Sequence, residues 1–157
     1  MKFSRAENGV PVVDGKEVPE VPGRLLGTLN VQDEDTIAVT ATSLQFYWVK
    51  EHPYFFLLAK DEKIGMELIL IGDKLEAGKR YEIGMEADQV EAQFSWAGST
   101  GHSQSDKIGG LNVLFITPEG DFERIDGYFS FGYKEIGVGF ERQVEFSCQS
   151  FSFKVPV

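Results

Sequence analysis

Ile125-Asp-Gly-Tyr-Phe-Ser-Phe-Gly-Tyr133 alternates with period two. Ile125, Gly127, Phe129, Phe131 and Tyr133 fall on one face, and Asp126, Tyr128, Ser130 and Gly132 on the other. That alternation marks a half-buried β-strand. After a Gly-containing break the pattern resumes, with Phe140, Arg142, Val144, Phe146 and Cys148 interleaved with Glu141, Gln143, Glu145 and Ser147. It resumes again as Phe151, Phe153 and Val155 between Ser150, Ser152 and Lys154. Read this way, three consecutive strands carry Phe129, Phe131, Phe140, Phe146, Phe151 and Phe153 inward, enough to nucleate a β core. Phe94 and Trp96 join that core from an earlier strand.

Working outward, the same signal recurs. Leu25 to Val31 and Thr36 to Ser43 flank the acidic turn Gln32-Asp-Glu-Asp35 and read as a hairpin. In Leu44 to Lys50, the alternation of Phe46 and Trp48 favours a strand over a helical turn, and His52-Pro53 ends it. Tyr54 to Ala59 and Met66 to Ile71 are apolar on both faces, which predicts strands covered on two sides. Tyr81, Ile83 and Met85, then Val90, Ala92, Phe94 and Trp96, read as an amphipathic hairpin about Ala87-Asp88-Gln89. Leu111 to Ile116 leads through the turn at Pro118-Glu-Gly120 back to the central stretch. About ten short strands at regular spacing predict an all-β fold, an antiparallel, jelly-roll-like β-sandwich over residues 25–157. Residues 1–24, with Pro11, Pro19 and Pro22, read as a loosely ordered lead-in with room for an edge strand at Val10, Val12 and Val13.

The order of the segments Glu67-Leu-Ile-Leu-Ile71, Ala77-Gly-Lys-Arg-Tyr81, Ile125 to Phe131, Val144-x-Phe146 and Phe151-x-Phe153 resembles that of a group of bacterial lipoprotein domains of unknown function. Those are small β-sandwiches with an a-G-x-Y turn and a late I-x-G-x-F-x-F strand. The resemblance covers residues 25–157 and implies a bacterial β-sandwich. The sequence as it stands lacks that group's lipidation cysteine and leader, and the resemblance brings no catalytic residues.

Composition narrows the function classes. The chain has 157 residues and a formal net charge of −10, from 25 acidic and 15 basic residues. A phosphate backbone repels such a surface, and Lys74, Lys79 and Arg80, diluted by Glu76, make no basic patch, so nucleic acid is not an expected partner. The longest apolar run, Tyr54 to Ala59, is too short to span a bilayer, so no membrane insertion is expected. Met1-Lys-Phe-Ser-Arg-Ala has no apolar leader. A cytoplasmic location is the default expectation, or an extracytoplasmic one if a leader has been removed. The single cysteine, Cys148, excludes an internal disulfide and reads as a buried, inert thiol.

Candidate sites are few. His52 and His102 are the only histidines. His102 lies in a small-residue loop with Ser99, Ser103, Ser105 and Asp106, residue types that a hydrolase could use, but no nucleophile-elbow pattern is present. Asp33, Glu34 and Asp35 are the candidate metal ligands, for Ca²⁺; Glu86, Asp88 and Glu91 flank a second acidic turn. No other cofactor is expected. Tyr47, Trp48, Tyr128 and Tyr133 are the candidate ligand-binding aromatics, suited to stacking on sugars or to a protein interface. The expectation is a non-catalytic interaction module that binds a protein partner or itself through open sheet edges. The alternatives are a carbohydrate-binding module, with or without Ca²⁺, and a loop-based hydrolase using His102 with Ser103 or Ser105.

Overall fold

The computed structural model describes residues 3–49, 54–84, 89–99 and 104–157. Among these there is no helix, and so none long and apolar enough to cross a membrane. The first half of the chain contributes nine strands: β1 (Phe3–Arg5), β2 (Pro11–Val13), β3 (Lys16–Glu17), β4 (Glu20–Val21), β5 (Gly23–Val31), β6 (Ile37–Ala41), β7 (Ser43–Val49), β8 (Tyr54–Asp61) and β9 (Met66–Asp73). The second half contributes β10 (Arg80–Ile83), β11 (Val90–Ser95), β12 (Ile108–Glu119), β13 (Phe122–Gly137) and β14 (Phe140–Pro156).

The fold is all-β and mainly antiparallel, but not the two packed sheets of a jelly roll. One 11-stranded sheet, in the order β4-β7-β8-β9-β11-β10-β12-β13-β14-β5-β6, curls into an open half-barrel. Its curl brings rings from distant strands together inside. Phe46 of β7 meets Phe153 of β14 at 4.9 Å between centroids, and Phe94 of β11 meets Phe146 of β14 at 5.4 Å. The strands β13 and β14 are long because period-two apolar patterning runs through them, with one change of phase in β14.

The last two predicted strands are one. Cys148 pairs with Gly27 and Ser150 with Leu26, so a β-bulge at Gln149 shifts the inward register from Phe146 and Cys148 to Phe151 and Phe153. A bulge adds one residue and bends the strand, so the sequence parity changes without a turn. Inside this bend Gly127 has no room for a side chain, since a Cβ there would lie 2.2 Å from the Asn112 carbonyl oxygen and 2.6 Å from the Phe151 ring. Phe140, expected inward, instead sits at the tip of the β13–β14 hairpin and is 38% exposed. The core ends before the hairpin does.

Among the described residues, β10 and β11 do not pair as the amphipathic hairpin expected about Ala87-Asp88-Gln89. All six residues of β11 pair antiparallel with β9, and β10 pairs with Gly109–Asn112 of β12. β10 and β11 touch only in parallel, at Ile83 and Val90. Alternation shows that a segment is a strand; it does not name the neighbour.

The lead-in is more ordered than its prolines and turns suggest. β1, β2 and β3 form a three-stranded sheet. Its Val13, with Val18, packs on Phe56, Leu58 and Ile69, the outer face of β8 and β9, and Phe3 stacks on Phe56 at 5.3 Å. This second layer explains why β8 and β9 are apolar on both faces. The pair between Arg5 and Glu67 ties it down at the rim.

Cys148 is buried, and burial pushes its pKa from 9.0 up to about 12. The unfolded chain releases this proton near pH 9 and the folded chain only near 12, so the folded state holds more protons across that window. Stability therefore falls as pH rises through it. Burial raises Tyr81 and Tyr133 as well, with the same sign. Urea midpoints are expected to be lower at about pH 10.5 than at about pH 8. A thiol reagent should modify Cys148 only after unfolding.

Candidate functional site

The half-barrel does not close through backbone pairing. β6 is the last strand of the sheet, bonded to β5 on one side only. In an antiparallel ladder alternate residues exchange both backbone bonds with the partner, and the residues between them point theirs away. The Thr40 N–H donates to Asp61 Oδ2 at 2.9 Å, so it points away from β5. Ala38 lies two residues earlier in the same phase and presents its N–H and C=O to the same open side.

Asp61 ends β8 and is 5% exposed. Its Oδ1 accepts the Lys63 N–H at 3.0 Å, which tightens the β8–β9 turn beside the β6 edge. One carboxylate thus stands where a neighbouring strand's carbonyls would be. Beside it is a depression of about 720 Å³, with Ala38, Thr40 and Thr42 on one wall and Lys60, Asp61, Glu62, Lys63 and Ile64 on the other. The β6 wall carries only small side chains, so the backbone can be approached closely. Lys60 faces Glu67 at 3.8 Å, whereas the Lys63 amine has no ion-pair partner among the described residues.

The aromatics singled out from the sequence are not brought together. Tyr47 packs against the cluster under the lead-in sheet, and Trp48, on the opposite face of β7, packs edge-on to Phe46 at 4.8 Å. Tyr133, a candidate ligand-binding ring, is 2% exposed, because it continues the inward phase of Phe129 and Phe131. Burial, with the charge of Glu135 adding to it, raises its pKa, so its hydroxyl stays neutral. Tyr128 alone of the four is solvent-facing, at 43% exposure, on a strand paired with the one that carries exposed Leu114 and Phe115.

Asp33, Glu34 and Asp35 form the β5–β6 turn, with Asp33 in the left-handed region at φ 62°. They do not converge: Glu34 turns to Arg142 at 3.4 Å, and no group of three or more potential ligands is gathered among the described residues. Of the hydrolase candidates, Ser105 Oγ accepts the Lys134 N–H at 2.7 Å, which ties it to the β13 edge. His52, His102, Ser103, Glu86 and Asp88 lie outside the described residues.

Sequence reasoning missed Asp61. Its place two residues before Lys63 is a turn signal that was available. Its bond to Thr40, 21 residues away, was not. No protein-family model, curated protein or solved structure matches this chain.

Proposed function

We propose that this chain is a non-catalytic interaction module that takes an extended segment of a protein partner along the free edge of β6. The observation that carries this is the outward-facing backbone of Ala38 and Thr40 beside an open depression, tied across only by the Asp61 carboxylate. Strand addition draws affinity from main-chain hydrogen bonds and specificity from alternate side chains.

The test is to select extended peptides from a displayed library on the folded protein and then repeat binding with Ala38→Pro. Proline removes the outward N–H without touching a β5–β6 bond, a position where edge strands tolerate it. Selected peptides should bind the parent and lose about tenfold or more in affinity to the variant, with its thermal midpoint nearly unchanged. Equal binding to both proteins, or no selectable peptide, would sink the proposal.

A second reading, self-association, rests on the exposed pair Leu114 (46%) and Phe115 (62%), close to Tyr128. Light scattering that returns a monomer at all concentrations would remove it.

A further inference from the structure

One end of the core is polar where the rest is aromatic. Trp96 follows β11, Tyr133 and Glu135 occupy the inward phase of β13, and Arg142 lies opposite Glu135 on β14. Arg142 Nη2 donates to Glu135 Oε1 at 2.9 Å and to the Gly98 carbonyl at 2.9 Å, and Nη1 reaches Glu34 at 3.4 Å. These bonds fix the guanidinium 6.0 Å from the Trp96 ring. Lys107 places its amine 4.9 Å from the centre of the Tyr133 ring and donates to Gln104 Oε1 at 3.3 Å.

Within this neighbourhood three buried donors have no hydrogen-bond partner, Trp96 Nε1, Tyr133 Oη and Arg142 Nε, and the buried carboxylate oxygen Glu135 Oε2 stands beside them as an acceptor. Folded proteins leave few such groups, so three beside one ion pair call for an occupant. The indole and guanidinium nitrogens can only donate, and the phenol also has a hydrogen to give. What fits must therefore accept several hydrogen bonds, and an oxygen of it that carries a proton can donate to the Glu135 carboxylate. The local charge points the same way. Arg142 and Lys107 are two cations against Glu135, a carboxylate with no solvent exposure, while Glu34 near Arg142 and Asp106 and Glu91 near Lys107 are exposed and screened by water.

We propose that this end of the core is a binding site for a small oxyanion, a carboxylate or an inorganic anion such as phosphate, accepted by Trp96 Nε1, Tyr133 Oη and Arg142 Nε. It is independent of the β6 edge.

The chain has two tryptophans, so a ¹⁵N-labelled sample gives two indole N–H resonances, with Trp48, packed on Phe46, as the internal reference. Sodium acetate and sodium phosphate are titrated separately, at ionic strength held constant with chloride. The expected result is a saturable shift of the Trp96 resonance with at least one of the two anions, with Trp48 unmoved. In Tyr133→Phe, which removes only the hydroxyl, the apparent Kd should rise roughly five- to tenfold. A response to acetate alone would identify a carboxylate site, and one to phosphate an inorganic or phosphorylated ligand. No saturable shift with either anion means that water alone meets the three donors, and overturns the proposal. An unchanged Kd in Tyr133→Phe overturns it too.

Discussion

Phe146→Ala unfolds about 3–5 kcal/mol more easily than the parent chain. Phe146 has no solvent exposure and lies at the meeting of three other rings, with centroid distances of 5.4 Å to Phe94, 5.8 Å to Phe129 and 5.6 Å to Phe131. Phe94 comes from the far part of the curled sheet, so Phe146 couples the two walls of the half-barrel. Deleting its ring removes transfer free energy and leaves a cavity that bulky neighbours on paired strands cannot fill by small shifts. A domain of this size is stable by roughly 5–15 kcal/mol, so the loss is a large share of the total. Urea unfolding measures it as a lower midpoint with an unchanged slope. A loss below about 1 kcal/mol would mean that the two walls do not share this core.

Arg142→Ala has an effect of similar size, about 3–5 kcal/mol, for an electrostatic reason. The substitution takes away the cation 2.9 Å from Glu135, whose side chain is wholly buried. Breaking one member of a buried pair costs more than the pair contributes, because the remaining charge is left in low dielectric. The double variant Arg142→Met with Glu135→Gln should therefore be less destabilised than the sum of its single changes. A double-mutant cycle in urea reads the difference, and simple additivity would show that the two side chains do not depend on each other.

Much of the core was legible because period two needs no knowledge of pairing. Phe129, Phe131, Phe146, Phe151 and Phe153 all point inward as their alternation required. The same alternation placed Tyr133 and Arg142 in that phase, and for Tyr133 it was a stronger signal than its reading as a candidate ligand-binding ring. What could not be read was whatever depends on partners far along the chain. The bulge at Gln149 looks in sequence like a break between two strands. β10 and β11 look like a hairpin although each is paired elsewhere. The lead-in showed only short apolar stretches, and its burial depends on β8 and β9 offering a second apolar face. Asp61 looked like any acidic turn residue, because its role rests on the Thr40 N–H that the curl brings beside it.

Strand addition requires an open β6 edge, and amide hydrogen exchange of the free protein at Ala38 and Val39 tests that most directly. Val39, bonded to β5, is expected to be protected by at least about a hundredfold, and Ala38 by less than about tenfold. A peptide selected for binding should then bring Ala38 up to the protection of Val39. If Ala38 is already as slow as Val39 without any peptide, the edge is covered and the proposed mode of binding is wrong.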